Sequence, residues 1–310
     1  LTDRLELSLN VRYDRDRRKN TTETPQAFLT AAGIPAVTGE RRKHTWSEWQ
    51  PQAILRYEAA DNLNLYASYS RGFRSGGFNQ TGVATAAAAA GFDNVGDLFD
   101  AETASTWEAG FKSRWFENRL TLNGSVYTTI DKGAYYFVFL ASNSTQNLGN
   151  IDKARLTGID LDATLRITPE LTGNLGFGWT DSEIKKFPGA SSALVEGAKV
   201  PLVSDYTLNA SLQYQREVAD GWDLMLRVDD SLIGPTTFVI PVPAVGEPQP
   251  VERDAVNLVD LRVGLMSDAW QFTVWSKNVF NKKYNTEYST GGFLFRGQPR
   301  TWGVDLTRRF

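Results

Sequence analysis

Nearly the whole chain alternates. Leu5, Leu7, Leu9, Val11 and Tyr13 are separated by Glu6, Ser8, Asn10 and Arg12. The same period of two returns at Ala53/Leu55/Tyr57, Leu63/Leu65/Ala67/Tyr69, Trp107/Ala109/Phe111 and Leu120/Leu122/Gly124/Val126. Later copies are Ile159 to Ile167, Leu171 to Trp179, Tyr206 to Tyr214, Trp222 to Val228, Val259 to Leu265, Trp270 to Val274 and Trp302 to Leu306. Such a period places apolar side chains on one face of an extended strand and polar ones on the other. The chain therefore reads as all-β, with about twelve strands, each near the ~10 residues that a tilted membrane strand needs.

The connections decide between a soluble sandwich and a barrel. Tight turns fall at Ala59–Asn62, Trp115–Arg119, Thr168–Glu170, Glu217–Gly221 and Ser267–Ala269, and long polar segments alternate with them at Arg15–Thr45, Gly72–Glu102, Asp131–Asp152, Asp181–Val203, Ser231–Asp254 and Asn281–Gln298. Outer-membrane barrels have short turns on one rim and long loops on the other; a sandwich gives no reason for that regularity. Many of the apolar rows end in Trp or Tyr, as side chains at a lipid–water boundary do. The opposite face carries Glu108, Lys112, Asp160, Asp162, Asp223, Arg227, Asp229, Asp260, Arg262 and Asp305, which can face neither lipid nor a dry core. We therefore expect Leu161, Ala163, Leu165, Leu208, Ala210, Leu212, Leu224 and Leu226 to face lipid, and Asp160, Asp162, Asp229 and Arg262 to face a wet lumen. The expected fold is a transmembrane antiparallel β-barrel.

Several function classes are disfavoured. The net charge of −3, from 33 basic and 36 acidic residues, gives no general pull toward nucleic acid. There is no cysteine, and His44 is the only histidine. A Ser–His nucleophile pair needs a third orienting group, and none stands out, so an enzyme is not expected. The aspartates are spread along strands, so neither a resident metal nor a cofactor is expected. Leu1–Asn10 is no signal peptide and reads as a strand already in progress, which predicts a numbering that begins inside a longer protein.

Five motifs then carry a family resemblance. Gly297-Gln298-Pro299-Arg300-Thr301-Trp302-Gly303-Val304-Asp305-Leu306-Thr307-Arg308-Arg309-Phe310 resembles the closing strand of TonB-dependent receptors. Asn278-Val279-Phe280-Asn281-Lys282-Lys283-Tyr284 resembles their Asn-Leu-Phe-Asp-x-x-Tyr segment, with Val for Leu and Asn for Asp. Leu65-Tyr66-Ala67-Ser68-Tyr69-Ser70-Arg71-Gly72-Phe73-Arg74 is similar to the strand bearing Tyr-x-Ser-x-x-Arg-Gly-Phe. Glu108-Ala109-Gly110-Phe111-Lys112 with Arg119-Leu120-Thr121-Leu122-Asn123, and Gly158-Ile159-Asp160-Leu161-Asp162, complete the set in family order. The resemblance implies that residues 1–310 are the C-terminal part of a 22-stranded barrel, without the family's plug and TonB box. It also implies TonB-dependent uptake of a scarce ligand. A ferric siderophore is the commonest theme, with a vitamin or oligosaccharide as alternatives. Rival readings are a complete twelve-stranded channel or autotransporter translocator, an outer-membrane enzyme, and a soluble binding module.

Candidate residues follow. Arg71 and Arg74 stand where a strand enters a long loop, placed either for an anionic ligand or as ordinary strand-end charge. Tyr135 and Tyr136, with Phe137 and Phe139, suit stacking on a ligand or a place in the aromatic girdle. Arg17, Arg18, Arg41, Arg42 and Lys43 gather basic charge near the outer boundary, where lipopolysaccharide phosphates or an anionic chelate are available. Trp302, Val304, Leu306 and Phe310 resemble the signal read by the barrel-assembly machinery. The alanine run Ala84–Ala90 suits a short helix.

Overall fold

The computed structural model describes residues 3–92, 94–140, 145–189, 192–240, 251–289 and 293–309. The chain opens with β1 (Leu5–Thr21), β2 (Arg41–Ala60) and β3 (Leu63–Arg74), followed by the short β4 (Gly77–Phe78) and β5 (Leu98–Phe99). Next come β6 (Glu102–Trp115), β7 (Leu120–Lys132), β8 (Ala134–Leu140), β9 (Thr145–Ile151), β10 (Lys153–Arg166) and β11 (Leu171–Lys186). The remainder holds β12 (Tyr206–Ala219), β13 (Trp222–Ile233), β14 (Thr236–Thr237), β15 (Glu252–Arg253), β16 (Val256–Met266), β17 (Trp270–Lys277), β18 (Asn285–Ser289), β19 (Phe293–Arg296) and β20 (Thr301–Arg308). The helices α1 (Gln26–Ala31), α2 (Val83–Ala89) and α3 (Ser192–Val195) lie in the long connections, α2 on the alanine run.

Twelve strands form one antiparallel sheet in the order β1-β2-β3-β6-β7-β10-β11-β12-β13-β16-β17-β20. Every step joins strands adjacent in the chain or separated only by a small hairpin. Among the described residues β1 pairs with β2 alone and β20 with β17 alone, so the sheet has two open edges. In lipid an unpaired edge is costly, because no water is present to satisfy its N–H and C=O groups.

The register divides the faces as the alternation predicts. Leu161 opposes Phe177 and Gly124, Ala210 opposes Leu175, and Leu226 opposes Tyr214 and Val263, all on the apolar face. Asp229 opposes Ser211 and Asp260, and Arg227 opposes Arg262, on the other face. Polar side chains satisfy one another there. Asn123 donates to Asp162 at 2.7 Å, and Arg227 donates to Asp229 at 2.6 Å and to Gln213 at 3.1 Å. On β20, Trp302, Val304 and Leu306 stand on the apolar face, 60% or more exposed; Phe310, expected to complete that row, lies outside the described residues.

Two expectations need correction. Arg15–Thr45 is not all loop: β1 and β2 stay paired for eight residues each beyond Tyr13–Trp49, from Asp14–Glu48 to Thr21–Arg41. Beyond the girdle the outward face no longer meets lipid chains, and the inner face packs on the β4–β5 segment through Trp46 and Arg42, so the apolar alternation that marks a membrane strand is lost while backbone pairing continues. The aromatic run Tyr135–Phe139 is not part of the girdle either. It lies on β8, which pairs with β9 in a separate hairpin between β7 and β10.

Among the described residues, the large buried cluster is in the connections, not between sheet layers. Val83, Ala87, Phe92 and Val95 pack with Tyr136, Val138, Leu140, Ile151, Ile184, Phe187, Val195 and Ile240. Segments from four connections thus share a core at the long-loop rim, so the loops hold a defined arrangement over the wall.

Candidate functional site: a vestibule over the long-loop rim

β8 alternates between two environments. Ala134, Tyr136, Val138 and Leu140 are buried in the loop core, whereas Phe137, on the opposite face with Tyr135 and Phe139, is 64% exposed. Tyr135 is fixed at the base of the hairpin. Its hydroxyl donates to the carbonyl of Ser75 at 2.8 Å, Phe99 meets its ring edge-on at 5.2 Å, and the Arg74 guanidinium lies 4.0 Å from its ring centroid. At the far end Phe139 meets Phe293 of β19, edge-on at 6.2 Å. Phe293 belongs to the connection between β17 and β20, at the other side of the sheet order. Two loops so far apart along the wall meet only if both lean over the polar face. Together they frame an apolar, aromatic surface with Phe293, Leu294 and Phe295 all about half exposed.

The predicted residues separate on this frame. Arg74 lies on the polar face with Glu102, its ion-pair partner, directly opposite it on β6. Arg71 shares the face of Tyr69 by alternation and is held by Glu48 at 2.9 Å, just past the last rung between β2 and β3. Tyr135 faces the vestibule. Tyr136 does not: it is 6% exposed, its hydroxyl donates to Asn94 Oδ1 at 2.9 Å, and its ring covers Gly149, so it fastens the loop core. The basic hairpin also divides. Arg17, Arg41 and Lys43 point outward with Tyr13 and Trp49, whereas Arg18 and Arg42 point inward, because a period of two turns neighbours to opposite faces. Arg18 donates to Ser75 Oγ at 2.6 Å and to Asp16 at 2.8 Å. Arg42 donates to the carbonyls of Asp97 and Asn79 at 2.9 and 2.8 Å and packs on Phe78, which commits it to holding the β4–β5 loop. Phe293, Leu294 and Phe295 went unnoticed in the sequence; three consecutive large apolar residues inside a polar connection were the available signal.

Beside Arg74, Asp131 on β7 sits beyond the girdle, opposite Ala104 and therefore three residues outward of Trp107. Burial, and then the adjacent Glu102 carboxylate, push its pKa up to about 7, with Arg74 opposing. A raised acid favours the folded state while protonated. Its contribution is full below about pH 4 and is lost as pH rises through about 7. Asp131→Asn is therefore expected to leave the melting temperature unchanged at about pH 4 and to raise it by about 2–4 °C at about pH 8. Equal shifts at both values would place Asp131 outside the pH-dependent set.

A charged inner face, an apolar outer face and loops that build their own core over the mouth define a receptor-type barrel wall, not a bare pore. The chain belongs to the TonB-dependent receptor-like β-barrel family, which it matches over residues 1–281. It is 25% identical over 287 residues to the pesticin receptor of Yersinia pestis, covering 92% of this chain and 38% of that protein. The ferric yersiniabactin uptake receptor FyuA from Yersinia pestis superposes with a TM-score of 0.75 at 23% identity, covering 99% of this chain and 43% of that one. The siderophore receptor PiuA from Acinetobacter baumannii gives 0.73 at 15% identity, with 98% and 41% covered. The chain thus spans about two fifths of the length of these relatives. TonB-dependent receptors are outer-membrane proteins of Gram-negative bacteria, and the named relatives are receptors.

Proposed function

We propose that the chain forms the C-terminal part of a 22-stranded outer-membrane barrel that imports a ferric siderophore. Its two open sheet edges support pairing with further strands. The energy would come from TonB, acting through the family's plug domain, and the barrel-assembly machinery would read β20 during insertion. Lipid would surround the apolar face. The observation that carries the cargo assignment is the aromatic surface of Tyr135, Phe137 and Phe139 facing Phe293, with Arg74 at its base. Flat, partly apolar iron chelates stack on such rings, and a guanidinium attracts their negative charge. The names of the relatives, one a ferric yersiniabactin uptake receptor and another a siderophore receptor, point the same way.

The test is radiolabelled iron uptake, from a siderophore that the wild type supports, in a host lacking its own receptors. Each aromatic contact is worth about 0.5–1.5 kcal/mol. Phe137→Ala with Phe139→Ala is therefore expected to lower uptake about tenfold at limiting ligand, with the barrel band on unheated gels unchanged. Undiminished siderophore uptake alongside impaired growth on an oligosaccharide would favour the sugar as cargo. Arg74→Gln is expected to weaken uptake further for anionic chelates than for neutral ones.

A further inference from the structure

We propose that the outward face of the extended β1–β2 ladder is a binding site for the phosphorylated headgroup of an outer-leaflet glycolipid. Above Tyr13 and Trp49 this face carries Arg15, Arg17 and Lys19 on β1 and Lys43 and Arg41 on β2, all exposed. Lys19 and Lys43 are directly opposite each other, and Arg41 is on the next rung of the same face. Like charges across a ladder repel. No ion pair among the described residues of the hairpin relieves the repulsion. On the other face Asp14 is engaged by Arg12 at 2.8 Å and Asp16 by Arg18 at 2.8 Å, Glu48 is held by Arg71 at 2.9 Å, and Glu23 and Glu40 of the connection form no ion pair with the five cations. Asp14 and Asp16 are held below the usual carboxylate range, chiefly by hydrogen bonds from Gln50 and Ser75 respectively. They stay charged and engaged at neutral pH. Among the described residues no ion pair reaches any of the five outward cations.

An anion supplied from outside is what this arrangement lacks. Phosphate is the chemistry that Arg and Lys side chains match best. The position selects a lipid over a soluble phosphate. Directly below the cations the Tyr13 and Trp49 rings pack 4.8 Å apart, and Leu9, Leu7 and Leu5 continue down the same face of the same strand. One stripe thus offers charge at headgroup height and apolar surface at acyl-chain depth. The proposal rests on the usual outer-membrane arrangement, short turns on the periplasmic side and long loops outward, and is independent of the cargo.

The experiment reconstitutes the full-length protein in phosphatidylcholine vesicles containing a minor fraction of diphosphoryl lipid A, extracts it in neutral detergent and counts lipid A retained per protein. Each cation near an anionic membrane surface adds to the attraction. The variant R17Q/K19Q/R41Q/K43Q is thus expected to retain at least about tenfold less, whereas K282Q/K283Q retains as much as wild type. Without lipid A the quadruple variant should melt at the same or a higher temperature than wild type, since a like-charge rung has been removed; added lipid A should stabilise only the wild type. Equal retention by the quadruple variant overturns the proposal, as does equal retention of dephosphorylated lipid A. Complete displacement by free pyrophosphate would make this a soluble-phosphate site and overturns the lipid assignment. Iron uptake is expected to survive in the variant. Uptake lost with lipid A retention intact gives these cations to the ligand path instead.

Discussion

Gly158→Ala is expected to destabilise the barrel wall by about 3 kcal/mol, although it adds a single methyl group to the wetter face of the sheet. Gly158 on β10 lies between Tyr127 on β7 and Thr180 on β11. The Tyr127 ring crosses over it and its hydroxyl meets Thr180 Oγ1 at 2.8 Å, so one side chain ties three strands. A β-carbon at Gly158 would stand 2.4 Å from the Trp179 carbonyl oxygen and 2.5 Å from the Tyr127 ring and hydroxyl. The ring can swing away, at the loss of its hydrogen bond; the backbone carbonyl cannot move without disturbing the β10–β11 ladder. Gly176 on β11 is the matched control. It sits on the same face, opposite Asp162, and its nearest obstacle is a backbone oxygen at 4.0 Å. There alanine restricts the unfolded chain without a clash, so Gly176→Ala should stabilise by about 0.5–1 kcal/mol. Urea unfolding of the folded protein in lipid, followed by tryptophan emission, measures both. Equal effects at the two glycines would mean that the ring over Gly158 contributes nothing specific.

The same device explains why short stretches of this sequence identify a family. Gly110 holds the Tyr66 ring in the same way, and Gly297 lies against the Tyr284 ring. Gly110, Tyr66, Gly158, Gly297 and Tyr284 each belong to one of the five motifs legible in the sequence, but the partner stands on another strand or in a distant part of the same connection. Periodicity reads residues along one strand and cannot see across to the next. The Asn278–Tyr284 segment shows it again. Asn278 and Asn281 adopt positive φ of 48° and 50°. Asn278 donates to the carbonyls of Lys282 and Gln298, and Asn281 accepts from the Arg300 amide. The motif closes the β17–β20 connection.

Strand number, facing and the alternation of short and long connections were legible because lipid on one side and water on the other impose opposite chemistry on neighbouring residues. That contrast ends at the girdle. Beyond it, the continuation of β1 and β2 and the β8–β9 and β18–β19 hairpins are ladders in water or in a loop core, and their sequences no longer alternate for the same reason. Arg17 and Arg18, or Tyr135 and Tyr136, look equivalent in sequence. Only pairing shows that one of each serves the outside or the vestibule and the other holds loops together.

The loop core sets the position of the vestibule surface, so a charge placed in it should abolish ligand uptake while sparing the barrel. Val138 is 1% exposed, packed within the cluster that includes Leu140, Ile184 and Val195. An aspartate there would be buried without a partner, at a cost of several kcal/mol, and the hairpin would leave the core to hydrate it. Phe137 and Phe139 flank Val138 on the other face of the same strand, so they move with it and the contact with Phe293 is lost. Among the described residues β8 and β9 pair only with each other, and the twelve-stranded ladder does not pass through them. Val138→Asp is therefore expected to lower siderophore-dependent iron uptake by at least about tenfold, the equivalent of ~1.4 kcal/mol in binding. The folded band on unheated gels should keep wild-type intensity. Phe137→Asp places the same charge one residue away on the exposed face. It should leave the hairpin protected from protease, whereas Val138→Asp should open it to cleavage. Wild-type uptake by Val138→Asp, with the hairpin cleaved, would show that the vestibule functions without an ordered β8, and the cargo contacts would have to be sought on the wall below it.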